Sequence, residues 1–131
     1  MSKIGKIDIS KLIFPPERHE YETAKFFTKL GHDVIFIRPS SIKGTKNPDF
    51  LMKNKKWETK SPIVFSKSSF EYNFSKAQKQ SAHIIFDLRR LSMIDSRKYL
   101  KELTKWSATT KIKTLLVITK DGKLLDIKGR F

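Results

Sequence analysis

The 131-residue sequence has no cysteine and only three histidines. Without cysteine, neither a disulfide framework nor a thiolate zinc site can form, and the composition fits an intracellular protein, so we predict a cytoplasmic one. His19, His32 and His83 do not have the spacing of zinc ligands, which favours surface or hydrogen-bonding roles for them. Disulfide-stabilised scaffolds and thiolate zinc proteins are therefore excluded.

Long apolar runs and acidic residues are both scarce. The first residues, Met-Ser-Lys-Ile-Gly-Lys, have no apolar stretch behind them, so we predict neither a signal peptide nor a membrane span. Lys and Arg number 28 against 13 Asp and Glu, which gives a formal net charge of +15. Because neutralising phosphates releases counterions, this charge indicates a polyanionic partner, most simply nucleic acid.

Apolar residues are nevertheless sufficient for a core. They make up 38% of the chain, which has room for one compact domain. We therefore predict a single domain over residues 1–131, in which residues 1–16 are an irregular or short-strand lead-in that Pro15-Pro16 ends.

The most informative stretch is residues 47–60, Asn-Pro-Asp-Phe-Leu-Met-Lys-Asn-Lys-Lys-Trp-Glu-Thr-Lys. It is typical of two adjacent strands, the first starting at Pro48 and alternating polar and apolar positions. We predict a hairpin with a two-residue loop at Asn54-Lys55, because asparagine tolerates a positive φ angle. This register sets Lys53 opposite Lys56, Leu51 opposite Glu58 and Asp49 opposite Lys60.

Directly paired residues point to the same face of a sheet. Asp49, Glu58 and Lys60 are therefore predicted to project together, with Asp49 and Glu58 about 7 to 8 Å apart along a diagonal, whereas Trp57 and Thr59 face the other way. Two acids beside an amine suit metal-dependent phosphodiester hydrolysis, since carboxylates bind a hard cation such as Mg²⁺ and an ammonium positions water or phosphate. A solvated strand edge has the same spacing, so this pattern needs support from the rest of the chain.

Three helices are predicted from apolar residues at helical spacing. The first spans residues 17–30, with Gly31 at its end and an inward face of Tyr21, Ala24, Phe27 and Leu30. The second begins with a Ser68/Glu71 capping box and buries Phe70, Phe74 and Ala77, and the third spans about residues 95–107. On the first helix, Glu20 lies within about 30° of the centre of the apolar face, whereas Glu22 points nearly opposite. Glu20 is therefore a candidate for the same site, although a carboxylate satisfied by lysine, backbone or the helix dipole has the same pattern.

Apolar runs predict further strands at residues 34–37, 84–88, 114–119 and 124–127, with a parallel crossover after 84–88. The order of elements predicts an α/β domain whose mixed sheet is flanked by helices. Trp57, Trp106 and the phenylalanine stripes are assigned to its core. The candidate phosphate contacts are the basic residues Lys43 and Lys46 in the polar loop 38–47, Lys53, Lys55, Lys76, Arg89 and Arg90.

These residues resemble a known superfamily. Glu20 on a first helix, then Pro48-Asp49, then Glu58-Thr59-Lys60, then a helix with Gln80, is similar to the PD-(D/E)XK nucleases, whose restriction-endonuclease-like core runs helix, three strands, helix, strand (αβββαβ). More narrowly, the run from His19-Glu20 through residues 57–62 and Gln80-Ser81 to residues 87–90 resembles the tRNA-cleaving toxin domains of contact-dependent growth-inhibition proteins and small mobile-element relatives.

The resemblance implies that Asp49, Glu58 and Glu20 bind Mg²⁺, or another divalent cation such as Mn²⁺, that Lys60 is the catalytic lysine and that Gln80 supports the wall of the site. It also implies RNA, with tRNA favoured, as the substrate and an immunity protein as a partner. Thr59 stands where relatives usually carry an aliphatic residue. A DNA endonuclease of resolvase or restriction type and a non-catalytic basic nucleic-acid-binding protein are the alternatives.

Overall fold

The computed structural model describes residues 3–108 and 111–131, so that residues 1 and 2 of the predicted lead-in lie outside it. The described chain forms β1 Ile7–Asp8, α1 Arg18–Lys29, β2 Val34–Phe36, β3 Phe50–Met52, β4 Lys55–Lys60, α2 Lys67–Gln80, β5 His83–Asp87, α3 Met93–Trp106, β6 Thr114–Ile118 and β7 Leu124–Lys128. None of these helices is long and apolar enough to cross a membrane.

All seven strands lie in one sheet, in the order β1 to β7. β1 is parallel to β2, and β4, β5 and β6 are parallel to one another, whereas the remaining neighbours are antiparallel. The predicted parallel crossover is therefore α3, which connects β5 to β6. The prediction of an α/β fold with a mixed sheet flanked by helices is confirmed.

Each face of the sheet has its own core, because successive side chains of a strand point to opposite faces. On β5, Ile84 and Phe86 pack with α2 and α3, whereas Ile85 packs on the side of α1. Trp57 is fully buried on the α1 side, where its Nε1 donates to the Met52 carbonyl oxygen at 2.9 Å. The sheet is thus a middle layer between α1 and the α2/α3 pair.

Helix α1 buries a face slightly different from the predicted one. Ala24 and Phe27 are buried as expected, but Tyr21 is 40% exposed and Leu30 is also exposed. Thr23 is buried instead, and its hydroxyl lies 2.8 Å from Asp87 Oδ2 and 3.0 Å from the His19 carbonyl oxygen, the two acceptors that its single proton can serve. A polar anchor to β5 therefore replaces part of the apolar stripe.

Helix α2 begins earlier than predicted. The Ser68/Glu71 capping box is wrong, since Ser66 is the N-cap and its Oγ accepts from the Ser69 amide at 3.1 Å. Ser66 is in an extended conformation, which is the backbone geometry that an N-cap requires. The predicted stripe is confirmed, since Phe70, Phe74 and Ala77 are buried.

The β3–β4 hairpin has a different register from the predicted one. Its loop is Lys53-Asn54, in which both residues have a positive φ, 52° and 61°, as a type I′ turn requires. Met52 pairs with Lys55 and Leu51 with Lys56, so the predicted pairing of Leu51 with Glu58 is wrong. A one-residue slip exchanges the faces of a strand, but this shift is by two residues and leaves each side chain on its predicted face.

Candidate active site

Strand β4 places Glu58 and Lys60 on the face covered by α2. Both pair in parallel with strand β5, Glu58 with Ile84 and Lys60 with Phe86, and those two β5 residues belong to the α2/α3 core. Glu58 is only 6% exposed, and its Oε2 lies 3.4 Å from Lys60 Nζ. Lys60 itself keeps one quarter of its side chain, 25%, accessible. The structure thus brings a buried acid and a reachable amine together, as the period of the strand predicts.

Asp49 joins them from a bend just before β3. Its amide donates to the Trp57 carbonyl at 2.8 Å, which holds it beside the end of β4. Its Oδ2 accepts from both the Thr59 amide, at 2.8 Å, and the Thr59 hydroxyl, at 2.7 Å. Thr59 pairs with Ile85 and so lies on the predicted face of the sheet, opposite to that of Glu58 and Lys60. Asp49 lies in a bend outside the regular pleat, so its carboxylate nevertheless reaches Thr59.

Glu20 approaches the same carboxylate from α1. It is half-buried, and its Oε1 accepts from the Glu17 amide at 3.0 Å, within a reciprocal capping box. The side chain therefore both caps the helix and faces Asp49, which helps to raise its pKa. Glu22 is exposed and points away, as predicted, and its carbonyl accepts from Arg89 at 3.1 Å.

The three carboxyl groups repel one another. Burial, followed by the charge of Asp49, raises the pKa of Glu58 to about 8, and Lys60 opposes this rise. Burial, followed by hydrogen bonding and charge from Asp49, raises the pKa of Glu20 to about 7. Glu58 Oε1 is buried and has no hydrogen-bond partner among the described residues. Because Lys60 is the lysine that offsets these three acids, a further positive charge beside the carboxylates would stabilise their ionised forms.

These donors fit a hard divalent cation. Mg²⁺ is bound in many enzymes by one or two carboxylates, with water and substrate phosphate completing the shell. Asp49 and the unpartnered oxygen of Glu58 supply such a pair. In residues 3–108 and 111–131, no group of three or more His, Cys, Asp or Glu side chains is placed to hold a metal ion together, so the fit rests on the pair Asp49 and Glu58. The arrangement matches an open site better than a structural one.

A cavity of about 370 Å³ opens over these side chains. Asp49, Glu58, Thr59 and Lys60 lie in it together with Glu20, and its other walls are residues 61–64, His19, Arg90 and, on α2, Ser69 and Asn73. Asn73 was not among the predicted site residues, and its Nδ2 donates to the buried Tyr99 hydroxyl at 3.2 Å. Its signal was the i, i+4 spacing of Ser69 and Asn73, which puts two polar residues on one side of an otherwise buried stripe.

Gln80 lies elsewhere. It does not line the carboxylate cavity, and its Oε1 accepts from the Asn47 amide at 2.5 Å. Asn47 immediately precedes Pro48 and Asp49, so Gln80 holds the segment that carries a site carboxylate. Its place in the structure is that of a positioning residue.

The predicted phosphate contacts have different surroundings. Arg89 is engaged by Asp87 at 2.7 and 2.9 Å and lies over the Phe26 ring, so it links β5 to α1. Its role as a phosphate contact stays a prediction. Arg90 is exposed and lines the cavity, with Nη1 donating to the Ser61 carbonyl at 3.0 Å. The remaining candidates are Lys43 and Lys46, exposed in the loop before Asn47, Lys55, half-buried on β4, Lys53, over the Phe131 ring, and Lys76, over the Tyr72 ring.

The raised pKa values predict that the metal-free protein loses stability as the pH rises from about 5 to 8. In the unfolded chain Glu20 and Glu58 ionise near their ordinary value of 4.5, whereas in the folded protein they hold protons up to about pH 7 and 8. Their contribution to the free energy of unfolding is therefore complete below pH 4.5, and it is lost as the pH rises from there to the folded pKa values. Urea unfolding in EDTA should show this decline, with a shallower slope for Glu58→Gln. Equal slopes for the two proteins would contradict the assignment.

Comparisons with known proteins agree with the fold. The family model described as the contact-dependent growth inhibition CdiA C-terminal domain matches residues 46–124, a range that includes Asp49, Glu58 and Lys60 but not Glu20. The chain is also similar in structure to a chain of the CdiA-CT/CdiI toxin and immunity complex from Burkholderia pseudomallei, with a TM-score of 0.68 and 18% sequence identity, over 95% of this chain and 99% of that chain. At that identity the likeness concerns the fold alone. No curated protein matches the sequence.

Proposed function

The chain belongs to the family of contact-dependent growth inhibition CdiA C-terminal domains, a family of toxin domains, and from this premise we propose that it is a metal-dependent nuclease of PD-(D/E)XK type. Its substrate in this proposal is RNA, with tRNA favoured. The observation that carries the proposal is the meeting of Asp49, Glu58 and Lys60 in one open cavity, with a buried Glu58 oxygen that has no hydrogen-bond partner within residues 3–108 and 111–131.

Asp49 and Glu58 would hold the divalent cation, Mg²⁺ or Mn²⁺, and Glu20 would add a carboxylate, directly or through water. When bound, the cation lowers the pKa of a water molecule and neutralises the charge that grows on the phosphate. Thr59 fixes the orientation of Asp49 through two hydrogen bonds to Oδ2. This fixed orientation matters because a carboxylate held by its neighbours needs no reorganisation during the reaction.

Lys60 acts on the substrate. Its ammonium lies 3.4 Å from Glu58 and is partly accessible from the cavity, so it can donate to the attacking water or to a phosphate oxygen beside the carboxylates. An ammonium in this place stabilises charge that appears only as the phosphodiester bond breaks. Arg90, on the rim of the same cavity, is placed to bind a neighbouring phosphate.

The proposal includes a protein partner. The similar chain from Burkholderia pseudomallei belongs to a toxin and immunity complex, and we propose that an immunity protein likewise neutralises this chain. A domain with a net charge of +15 favours an acidic partner surface, because complementary charge speeds association and strengthens specificity.

A comparison of two glutamates on α1 tests the role of the helix. Glu20→Gln should reduce cleavage in Mg²⁺ by roughly tenfold or more, because its carboxylate faces Asp49, whereas Glu22→Gln should cleave like the unaltered protein. Steady-state cleavage rates at saturating RNA measure the difference. If both variants retain full activity, Glu20 serves only as the helix cap seen in the structure.

The choice of nucleic acid needs a direct test, because the charge attracts any phosphate backbone. Binding of RNA and of DNA should both weaken steeply with salt and so cannot distinguish them. Discrimination must come from shape or from the 2′-hydroxyl. The purified protein should be incubated with total RNA and with plasmid at about 0.15 M salt, near physiological ionic strength, and the new ends sequenced. Discrete cuts in tRNA with intact plasmid are expected, whereas plasmid cleavage with tRNA spared would assign a DNA endonuclease.

A further inference from the structure

A second cavity, of about 440 Å³, adjoins the carboxylates on the side away from α2. One wall is the segment of residues 12–17, and the other is formed by residues 36–39 and 47–49. Glu20 and Asp49 line this cavity and the carboxylate cavity alike. A nucleic-acid strand whose phosphate lies at the carboxylates therefore has this second space directly beside it.

The second cavity is mainly apolar and has an aromatic side chain at its mouth. Phe14 is 79% exposed and lies within a larger apolar surface, and contiguous exposed apolar surface often marks a binding site. The neighbouring Ile13 is also exposed, and Phe36 lies buried at the base. A flat apolar ring beside a phosphate site is the feature with which proteins bind unpaired nucleobases, because every base has a π-face that stacks on it.

The loop wall of the cavity is held in place by hydrogen bonds. Asn47 Oδ1 accepts from the Ser40 amide at 2.8 Å, and its Nδ2 donates to the Ser40 carbonyl at 3.2 Å, which closes the loop between them. The Asn47 amide donates in turn to Gln80 on α2. The wall is thus preformed, so a ligand that enters need not order it first.

Arg38 lines the cavity and makes no side-chain hydrogen bond or ion pair with any part of the chain that the structure describes. An exposed guanidinium next to an apolar cavity can stack on a base or bind the phosphate of the same nucleotide. A purely apolar ligand would leave this charge unused. A nucleotide uses both the apolar walls and the cation.

We propose that this second cavity binds the nucleobase of an unpaired nucleotide next to the scissile phosphate, with Phe14 as its stacking surface. The inference rests on the proposed nuclease function and names its substrate class more closely: RNA that is single-stranded, or whose nucleotide is turned out of a helix, at the cut. A base within a duplex is stacked on its neighbours and must be extruded before it can enter. Hybridising the cut region to a complementary strand should therefore slow cleavage.

The test combines one substitution with one change of substrate. After the cut is mapped, an RNA oligonucleotide is compared with the same oligonucleotide carrying abasic sites on both sides of the cut. Phe14→Ala should lower kcat/KM for the natural RNA by about tenfold, within the range measured for loss of a stacked base. On the abasic RNA, Phe14→Ala and the unaltered protein should cleave equally. Equal cleavage of the natural RNA would overturn the proposal while the nuclease function stands.

Two further variants separate stacking from general surface effects. Phe14→Trp should keep the activity on natural RNA, because it keeps an aromatic face. Ile94→Ala, which removes a similarly exposed apolar side chain from α3, should leave both substrates unaffected. Failure of Phe14→Trp to retain activity would contradict a stacking role.

Binding in EDTA makes the result independent of cleavage. Fluorescence anisotropy should show that Phe14→Ala weakens the binding of a natural RNA hexamer about tenfold but not that of a fully abasic hexamer. If the protein cleaves nothing under any condition, the nuclease proposal fails and this comparison still decides the base cavity. If binding is unchanged and Phe14→Ala instead abolishes self-association in sedimentation, the cavity holds a second copy of the chain and the proposal is overturned.

Discussion

Replacing Asp49 or Glu58 by alanine is expected to lower RNA cleavage by more than about 100-fold without unfolding the protein. The two carboxylates are the donors that fit the divalent cation, and loss of even a supporting residue around such a site typically costs 10 to 100-fold. Neither substitution removes a residue of the two hydrophobic cores. Each relieves repulsion among acids that burial has already forced together.

For Glu58, stability and activity should therefore change in opposite directions. Glu58→Gln keeps the volume of the side chain and removes the charge, so near pH 8 in EDTA its free energy of unfolding should equal or exceed that of the unaltered protein. Glu102→Ala, which removes a half-buried acid on α3 paired with Lys105, serves as the control of equal charge change and should cleave normally. If the Asp49 and Glu58 variants are inactive only because they are unfolded, their assignment as metal ligands is wrong.

The second large effect is expected from Lys60→Met, which should reduce kcat by roughly 10² or more while the affinity for RNA changes little. A group that acts mainly on the transition state contributes to turnover and not to ground-state binding. Lys60 also holds down the pKa of Glu58, so its loss should move the Glu58 limb of the pH profile of any residual activity to higher pH. Single-turnover rates between pH 6 and 9 measure both effects.

Lysines near the β3–β4 loop provide the matched comparison. Lys53→Met and Lys55→Met change the same charge but lie away from the carboxylate cavity, so they should raise the dissociation constant for RNA and leave kcat unchanged. A Lys60→Met protein that cleaves at the normal rate would make Lys60 a solvated strand charge. The two classes of lysine are thus separated by which kinetic constant changes.

The faces of the β3–β4 hairpin could be predicted from the sequence, but its pairing could not. Alternation along Asp49 to Lys60 depends only on the strand period and survives a register shift of two residues. The register depends on which two loop residues have a positive φ. Lysine rarely has one, so the sequence does not predict that Lys53 is the first loop residue. The same limit explains Thr59, which reaches Asp49 only because Asp49 lies in a bend outside the pleat.

Long-range polar contacts were beyond the sequence for a different reason. The buried Asp87 accepts a hydrogen bond from Thr23, which is 64 residues away, and no periodic pattern predicts such a partner. The same acid also binds the nearby Arg89. Arg89, which charge alone marks as a phosphate contact, is engaged by this buried acid. Gln80 likewise reaches Asn47 over 33 residues, so its positioning role became visible only in three dimensions.

Cleavage of tRNA by the purified protein, with and without a divalent cation, is the direct test of the proposed metal-dependent nuclease activity. We expect defined cuts in Mg²⁺, no cuts in EDTA, and full recovery of cleavage when Mg²⁺ is added in excess of EDTA. The reason is that Asp49 and Glu58 depend on the cation for their chemistry. Equal cleavage in EDTA and in Mg²⁺ would contradict the proposed function, because the reaction would then not depend on a metal bound by the carboxylates beside Lys60.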